Sequence, residues 1–293
     1  MHKIIKTTAA LALIAISSCN KDPYVPNTSA VYVELGNGDA TYGKDNNEQP
    51  KLTSLKYMTY NIHAANPPAA PGTVDLAAIA KVITDANPDI VFLQEVDNKT
   101  GRNGYSGDMA ADLGQRTKMN AVFFSAISYS RGFYGVAILS KYPLKGIKKY
   151  MLPKADQSEE QRVFGQAIVD LPGVDSLVAS VAHLQQTTGA ARLVQIKEIA
   201  RIVGDIKIPL LFGGDMNEKP EAVDFFNVFD ATFTRTCIGG NCQNTFPASV
   251  PTSIIDYLAF RPGNAFSITS HNVINERLAS DHLPVLSELK FNR

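Results

Sequence analysis

The stretch "LLFGGDMN", residues 210–217, decides the fold of this chain. Its apolar residues run without a polar interruption into Gly213 and Gly214, as in a β-strand that is buried on both faces. Asp215 and Asn217 follow at once, at the corner where the strand ends. Because Asp and Asn are also ordinary turn residues, this corner alone leaves two interpretations open, a plain turn or the edge of a functional site.

Three other strand-like segments also end in polar side chains. They are residues 55–63, 89–96 and 176–184, and they carry Asn61, Glu95 and His183 near their ends. Ligand crevices in α/β sheets lie outside the carboxyl ends of the strands. Chance explains one polar strand end well, but it explains four in matching positions poorly. We therefore predict that these side chains meet at one rim of the fold.

Helices separate several of these strands. Asp75 is placed to cap a helix, a second helix is predicted over residues 191–203, and a shorter one near residues 108–117. The expected buried positions are Leu76, Ile79, Ala80, Val82 and Ile83 in the first helix and Leu193, Ile196, Ala200 and Val203 in the second. Further strands are expected at 120–128, 134–140, 163–171, 253–260 and 284–291. This order predicts an α/β fold with two packed sheets and helices on their outer faces.

The composition narrows the possible functions. The chain has 293 residues, of which 45% are hydrophobic and 19% charged, as in ordinary soluble globular proteins. Lys and Arg total 28, Asp and Glu total 28, and Trp is absent, so the sequence indicates neither a basic surface nor a strong stacking platform. The most basic stretch, residues 141–150, is interpreted as a solvated hairpin face. These counts argue against a dedicated nucleic-acid-binding protein.

The N-terminus has the pattern of a targeting segment. "MHKIIKTTAALALIAISSC" begins with basic residues and continues with an apolar stretch, residues 9–16, that is too short to span a bilayer. Residues 16–19 resemble a bacterial lipoprotein box, in which the cysteine is lipidated. We expect residues 1–19 to be a lipoprotein signal peptide with a lipidated Cys19. The alternative is a plain secretory signal with a chance cysteine.

The segment after the signal is predicted to be a flexible tether. Residues 20–50 are rich in Asn, Asp, Gly and Pro and contain one short strand-like island, residues 31–35. Such a segment cannot fold alone, so the folded domain is expected to be residues 51–293. The lipid would anchor an exported protein to a bacterial membrane, with the outer membrane favoured, on the periplasmic or cell-surface side.

The remaining cysteines indicate a disulfide. If Cys19 carries lipid, Cys237 and Cys242 remain, within "CIGGNC". Export to an oxidising compartment permits a disulfide between them. The alternative is a metal site, but no nearby His or further Cys supplies ligands. A small loop closed by a disulfide is therefore expected.

Seven short motifs together resemble those of a known family. "TYNIH", "FLQEVD", "GVAILSKYPL", "AHL", "GGDMN", "IDYL" and "SDHLPV" occur in the order found in the endonuclease/exonuclease/phosphatase superfamily, which has the DNase I-like fold. The resemblance covers residues 55–291. It implies a four-layered α/β sandwich of two packed mixed β-sheets, and it implies that residues 51–293 form a catalytic domain that hydrolyses phosphate esters.

The resemblance also implies a metal site. Glu95 would be the principal Mg²⁺ ligand, with help from Asn61 and Asp281, and Mn²⁺ is the alternative ion. Mg²⁺ prefers carboxylate and carbonyl oxygens and binds substrate phosphate, so these residue types suit it.

Six further residues match the catalytic positions of the family. Asp215 would be the general base for the attacking water, and Asn217 would donate a hydrogen bond to the phosphate. His183 and His282 would contact phosphate oxygens, while Asp256 would fix the tautomer of His282 and favour its charged form. For Asp256 the alternative is a structural salt bridge. Arg162 would also contact the phosphate; the alternative is a surface residue beside Glu159 and Glu160.

The substrate is the least determined part of this interpretation, because one fold serves many functions. We expect a monomer that hydrolyses a small or lipid-derived phosphodiester or phosphomonoester, with water as the nucleophile. One alternative is a non-specific surface endonuclease or exonuclease acting on DNA, which the charge balance does not favour. The other is a non-catalytic binding lipoprotein. The complete set of acids and histidines argues against that second alternative.

Overall fold

The computed structural model describes residues 30–44, 46–237 and 242–293. The strands found there are, in chain order, β1 (Val31–Gly36), β2 (Ser54–Asn61), β3 (Ile90–Asn98), β4 (Asn120–Tyr129), β5 (Gly132–Ser140), β6 (Leu144–Met151), β7 (Val163–Leu171), β8 (Asp175–His183), β9 (Leu210–Asp215), β10 (Thr234–Arg235), β11 (Asp256–Arg261), β12 (Phe266–Val273) and β13 (Val285–Phe291). The α-helices are α1 (Leu76–Ala86), α2 (Met109–Thr117), α3 (Gly189–Gly204) and α4 (Val223–Thr232). Most strands and helices predicted from the sequence are present.

The strands form two mixed sheets. The first has seven strands in the order β1-β6-β7-β8-β9-β11-β10, and the second has six in the order β12-β13-β2-β3-β5-β4. Each sheet contains one parallel pair, β8 with β9 and β2 with β3. Parallel neighbours need a crossover connection, which α3 and α1 provide. The two sheets therefore share the same strand–helix–strand unit.

The sheets pack face to face, with helices outside. Side chains from both sheets meet in a central core that includes Tyr57, Phe92, Phe124, Leu211 and Leu258. Helices α1 and α2 cover the outer face of the six-stranded sheet, while α3 and α4 cover the outer face of the seven-stranded sheet. The result is the expected four-layered α/β sandwich, in which apolar surface is buried on both sides of each sheet.

The two glycines of β9 allow close packing. A Cβ atom on Gly213 would lie 2.3 Å from Cδ2 of Phe92, which belongs to the opposite sheet. A Cβ atom on Gly214 would lie 2.1 Å from the carbonyl oxygen of Ala182 in the neighbouring strand. A larger residue at either position would push its neighbours apart. The glycines that precede Asp215 thus bring the carboxylate close to both sheets.

Helix α1 begins and ends as its sequence predicts. The side chain of Asp75 accepts a hydrogen bond from Ala78 N at 2.9 Å, and Asn87 ends the helix in the left-handed region at φ 51°. All five predicted core positions are buried.

The prediction for α3 was partly wrong. Ile196 and Val203 are buried as expected, but Ile199 is buried in place of Ala200, which stays half-buried together with Leu193. Two polar contacts account for this difference in the face of α3 that is buried. Gln195 Oε1 accepts a hydrogen bond from Gln185 N at 2.9 Å, and Glu198 Oε1 accepts one from Ala30 N at 2.7 Å. Polar residues that anchor the helix are not visible in a purely apolar periodicity.

Part of the predicted tether belongs to the fold. Strand β1 lies within residues 20–50 and pairs antiparallel with β6, from Val31 opposite Met151 to Gly36 opposite Ile147. All six of its residues are exposed, so the segment has little core of its own but finds hydrogen-bond partners at a sheet edge. Strand β6 covers most of residues 141–150, which were interpreted as a solvated hairpin face. It is flanked by β1 and β7 and places Leu144 and Ile147 in the core, so that interpretation was partly wrong.

Three elements were missed, namely helix α4 and strands β10 and β12, and one strand began later than expected. Strand β10 has two residues and β12 is rich in polar residues, so neither has a clear apolar period. Helix α4 buries Phe225, Phe226 and Phe229 at helical spacing, so a signal for it existed. The strand predicted over 253–260 begins at Asp256, which is therefore its first residue and not an interior one. This places the Asp256 side chain at the end of the sheet.

The predicted disulfide is present, between Cys237 and Cys242, with Cα atoms 5.0 Å apart. Residues 1–29, with the predicted signal peptide and Cys19, lie outside the described residues. Within the described ranges, the helices are all too short or too polar to cross a bilayer.

Candidate active site

The parallel strand pairs of the two sheets end side by side and bring their polar residues together. We call this edge of the sandwich the rim. Strands β2 and β3 carry Asn61 and Glu95, and strands β8 and β9 carry His183 and Asp215. Asn61 connects the two sheets, because its Nδ2 atom lies 3.1 Å from Glu95 Oε1 and 3.1 Å from Asp215 Oδ2. The expectation that these side chains would meet is confirmed.

The corner after β9 fixes the direction of Asp215. The backbone N–H of Asn217 donates to Asp215 Oδ1 at 2.8 Å, which closes a turn of the kind that Asp favours. Asn217 adopts the left-handed conformation at φ 49°, which Asn tolerates better than most residues. One carboxylate oxygen is therefore held by the backbone, while the other, Oδ2, faces Asn61 and the two histidines.

An irregularity in β3 turns Glu95 toward the same place. The pairing of β3 with β5 shifts register between Leu93 and Val96, and Glu95 itself has φ 57°. A bulge of this type re-aims a side chain and is common next to functional sites. A positive φ at a residue other than Gly stores backbone strain, which the surrounding sheet must compensate. The strained backbone conformation at Glu95 thus directs its carboxylate into the rim.

His282 and Asp256 form a buried pair. Nδ1 of His282 lies 3.0 Å and 3.2 Å from the two carboxylate oxygens of Asp256. Its other nitrogen, Nε2, lies 3.8 Å from Asp215 Oδ2. The pairing expected between Asp256 and His282 is confirmed. The Asp256–His282 pair leaves Nε2 of His282 directed toward Asp215, and the proton on Nε2 can be donated to a ligand.

The loop that carries His282 is attached to β2. Ser280 Oγ donates to the carbonyl oxygen of Asn61 at 2.7 Å, and it is fully buried. Asp281 lies beside His63, with 3.7 Å between Asp281 Oδ1 and His63 Nδ1. The backbone N–H of His63 donates in turn to Asn61 Oδ1 at 3.1 Å. The three residues expected to bind metal therefore surround one end of β2.

The two central groups have strongly shifted pKa values. Burial raises the pKa of Asp215 to about 7, and the nearby Asp256 adds to this, while His282 opposes it. Burial alone would lower the pKa of His282, but the charge and hydrogen bond of Asp256, with Asp215 behind it, raise that pKa to about 10. His282 is therefore a cation at neutral pH. Shifts of this kind are concentrated at functional sites.

The side chain of Asn217 contacts the ring of His183. Asn217 Nδ2 donates to the carbonyl oxygen of Leu184 at 3.1 Å, so the amide nitrogen is identified, and the same atom lies 3.0 Å from His183 Nε2. Nε2 also lies 3.4 Å from Asp215 Oδ2, so this ring nitrogen faces both an amide and a carboxylate. Burial, Arg162 and His282 hold the pKa of His183 well below its usual range, so the ring is neutral.

This arrangement changes what can be expected of Asn217. Both hydrogens of its amide are directed at Leu184 and His183, so a hydrogen bond to phosphate would require one of these contacts to break. The buried Nδ1 atom of His183, by contrast, has no hydrogen-bond partner among the described residues. The predicted phosphate contact of Asn217 stays a prediction.

Arg162 is buried beside His183. It is 4% exposed, so the alternative of a surface residue is wrong. Its Nη1 atom lies 3.1 Å from Glu160 Oε1, and its Nε atom has no partner within the described part of the chain. Arg162, His183 and Tyr134 line one small cavity. Two unsatisfied donors that line one cavity of about 10 Å³ indicate a place for a single water molecule.

The rim has an excess of acids. Glu95, Asp215, Asp256 and Asp281 bring four carboxylates, and no Lys or Arg of the described ranges forms an ion pair with any of them. Ligand atoms of Asp215, Asp256 and His282 lie within 4.8 Å of one another. Both oxygens of Asp256 already face His282, however. Asn61, Glu95 and Asp281 offer oxygen atoms, the ligands that Mg²⁺ prefers, so the residues present fit a divalent cation.

A comparison with known protein families identifies the family of the chain. The Endonuclease/Exonuclease/phosphatase family matches residues 58–282. The chain belongs to this family. The matched range contains every residue that the sequence placed in the site, from Asn61 to His282. The family to which the chain belongs is one of phosphoesterase-type hydrolases.

Several solved structures share this fold. An endonuclease/exonuclease/phosphatase from Beutenbergia cavernae is 26% identical and matches with TM-score 0.65 over 82% of this chain and 72% of that chain. A mannosyl-6-phosphatase from Bacteroides thetaiotaomicron is 15% identical, with TM-score 0.64 over 81% and 100%. The human Nocturnin catalytic domain with bound sulfate is 17% identical, with TM-score 0.64 over 90% and 98%. No match was found among curated proteins.

Sequence reasoning missed two residues that support the site. Ser280 connects the His282 loop to β2 and belongs to the quoted motif "SDHLPV", so a signal for it existed. Phe246 packs against the ring of His282, with the ring centroids 4.6 Å apart. A single aromatic residue in an irregular loop gives no such signal, because its partner is determined only by the tertiary fold.

Proposed function

We propose that this member of the endonuclease/exonuclease/phosphatase family is a Mg²⁺-dependent hydrolase of a phosphodiester or phosphomonoester, and that its substrate is small or lipid-derived. The observation that carries this proposal is the position of Asp215 Oδ2. It lies 3.1 Å from Asn61 Nδ2, 3.4 Å from His183 Nε2 and 3.8 Å from His282 Nε2. One carboxylate oxygen thus stands at the centre of the rim.

Asp215 is suited to act as the general base. A base works best when its pKa is near the working pH, and burial raises the pKa of Asp215 to about 7. The Asn217 backbone N–H and the Asn61 amide hold the carboxylate in a fixed direction. It would accept a proton from the attacking water as that water bonds to phosphorus and the P–O bond to the leaving group breaks. The leaving oxygen would take a proton from solvent and depart as an alcohol.

The phosphate oxygens would be held by donors that are already oriented. His282 carries a positive charge and is fixed through Nδ1 by Asp256, which leaves its Nε2–H for the substrate. His183 and Arg162 would contact further phosphate oxygens. Donors fixed before the reaction stabilise the charge that builds up in the transition state without further rearrangement.

Asn61, Glu95 and Asp281 would hold the cation, Mg²⁺ in the first place and Mn²⁺ as the alternative. When bound there, the ion would supply positive charge to neutralise the phosphate oxygens. Asn61, Glu95 and Asp281 provide only oxygen ligands, and the rim has an excess of acids. Both features support this assignment.

The composition favours a small or lipid-derived substrate over nucleic acid. The net charge is zero and Trp is absent, so the backbone contacts and stacking that hold nucleic acids have little support. Among structures of the same fold, one is described as a mannosyl-6-phosphatase and another as a 2′,3′-cyclic phosphatase. The first of these names supports a small phosphate ester as the substrate of the present chain.

A substrate panel tests this proposal. The purified protein with Mg²⁺ is assayed against bis(p-nitrophenyl) phosphate, sphingomyelin, inositol phosphates, a sugar 6-phosphate and DNA, with EDTA and Asp215→Asn as controls. We expect hydrolysis of at least one small or lipid ester, loss of activity in EDTA and recovery with added Mg²⁺. Hydrolysis of DNA alone would favour the nuclease alternative. No turnover of any phosphate ester would contradict the proposal.

We propose further that the protein is exported and anchored through a lipid on Cys19. The basic start, the apolar stretch 9–16 and the residues before Cys19 support this. Mass spectrometry of the membrane fraction is expected to find lipid on a mature N-terminal Cys19. A soluble exported protein that begins at another residue would contradict it.

A further inference from the structure

A loop outside the predicted site contacts both members of the His282–Asp256 pair. We call residues 245–253 the bridging loop. Its two ends pair with each other: Ser253 N donates to Phe246 O at 2.8 Å, and Phe246 N donates to Ser253 O at 3.0 Å. The loop lies between the disulfide and β11, and the roles assigned above do not use it. It connects the two parts of the chain that carry Asp256 and His282.

Thr245 makes the central contacts of this loop. It is 1% exposed. Its Oγ1 atom accepts hydrogen bonds from Ile255 N and Asp256 N, both at 3.3 Å, and its carbonyl oxygen accepts one from Leu283 N at 2.8 Å. One buried residue is thus bonded to the backbone of Asp256 itself and to the residue directly after His282.

Two further contacts hold the other side of His282. The ring of Phe246 packs on the imidazole with the centroids 4.6 Å apart, and Ala248 N donates to the carbonyl oxygen of Asp281 at 2.6 Å. The bridging loop therefore holds the chain on both sides of His282, at Asp281 and at Leu283. It leaves the imidazole little freedom to move away from Asp256.

We propose that Thr245 is a positioning residue, which sets the 3.0 Å contact between His282 Nδ1 and Asp256 Oδ2. This inference rests on the proposed function, in which His282 donates to the phosphate. Asp256 is the first residue of β11, so its backbone N–H depends on the Thr245 hydroxyl. Without that acceptor, two buried N–H groups lose their partner and the start of β11 relaxes.

The expected consequence is a loss in the chemical step and not in substrate binding. A misplacement of about 1 Å lowers turnover by on the order of 10²-fold. Thr245→Val removes the hydroxyl and keeps the shape of the side chain, while Thr245→Ser restores the hydroxyl. The matched control is Thr236→Val, because Thr236 is also a buried threonine, but its Oγ1 contacts Leu258 O and His271 instead.

Turnover of bis(p-nitrophenyl) phosphate with Mg²⁺ is measured for the four proteins. We expect Thr245→Val to lower kcat by about 30- to 100-fold with KM within about twofold of the wild type. Thr245→Ser and Thr236→Val are expected to stay within about threefold in kcat. A Thr245→Val protein with unchanged kcat, or a control that loses as much as Thr245→Val, would overturn the inference.

A second measurement needs neither turnover nor metal. In the metal-free protein, NMR follows the low-field N–H proton of His282 that is hydrogen-bonded to Asp256. This signal is expected to shift or broaden in Thr245→Val and to be unchanged in Thr245→Ser and Thr236→Val. If Thr245→Val does not fold, a wild-type-like signal in Thr245→Ala would overturn the inference, and a shifted one would support it. A wild type that turns over no phosphate ester of the panel would refute the proposed function, while the NMR comparison would still decide the role of Thr245.

Discussion

Two buried or partly buried histidines respond to their surroundings in opposite ways. His282 faces the carboxylates of Asp256 and Asp215, which raise its pKa to about 10. His271 lies in β12 with Nδ1 2.8 Å from the hydroxyl of Thr236, and burial lowers its pKa to about 4. The first is a cation at neutral pH and the second is uncharged. Acidic neighbours, and not burial itself, decide the difference.

The comparison separates a functional region from a structural one. Around His282, several buried charges lie together, which is unfavourable for folding unless each is paired. Around His271, a neutral ring completes a hydrogen bond at a sheet edge, as ordinary buried polar groups do. Changes at the rim should therefore act mainly on activity, and changes at His271 only on stability. The predictions below test this contrast.

The largest effect is expected for Asp215→Asn. The change removes the base but keeps the size and most hydrogen bonds of the side chain, so kcat should fall by about 10³-fold or more, with KM less affected. Since it also removes a buried charge next to Asp256, thermal stability should be retained. Steady-state kinetics and thermal unfolding measure both. Near-wild-type turnover on the best substrate found would show that Asp215 is not the base.

Glu95→Gln should come next. Loss of the carboxylate removes charge that would hold a hard cation, so kcat/KM at fixed Mg²⁺ should fall by about 10²-fold, and calorimetry should show weaker Mg²⁺ binding. Glu48→Gln, at an exposed position, is the control. Equal Mg²⁺ affinity in the Glu95 variant and the control would place the cation elsewhere.

His282→Ala should reduce both activity and stability. It removes a donor to phosphate, and it leaves the buried Asp256 carboxylate without its partner, a loss of about 1–3 kcal/mol in the free energy of unfolding. Urea unfolding and kinetics on the same preparations give the two values. Lost turnover with unchanged stability would mean that Asp256 finds another partner.

His271→Gln should have the smallest effect and leave activity unchanged. The unfolded state takes up a proton near the ordinary pKa of 6.5, whereas the folded state does so only near 4. Between these values the unfolded state binds more protons, so His271 lowers stability as the pH falls from 6.5 to 4, by about 1–3 kcal/mol. Urea unfolding at pH 7 and pH 4.5 should show a smaller loss for the variant than for the wild type. An equal loss in both would mean that His271 is protonated in the folded state.

The sequence predicted the fold well wherever apolar periods were clear. The strand before Asp215, the helix capped by Asp75 and the order of motifs were sufficient for the four-layered sandwich. It was less informative where long-range partners decide the outcome. Strand β1 forms because it can pair with the free edge of β6. Helix α3 buries a different face from the predicted one because Gln195 and Glu198 form hydrogen bonds there.

The same limit applies to the site. Spacing and strand ends indicated Asn61, Glu95, His183 and Asp215, because parallel strands must end together. The surroundings of His183 and the support from Thr245 depend on contacts between residues far apart in the chain. These contacts appear only when the chain is folded.

The central claim is that Asp215 and His282 act on one phosphate as a unit. The direct test is kcat for Asp215→Asn, for His282→Ala and for the double variant, on the best substrate from the panel. We predict that the double variant is little worse than Asp215→Asn alone, because the second loss falls on a site that no longer works. If the two losses multiply in the double variant, the residues act independently and the claim is contradicted.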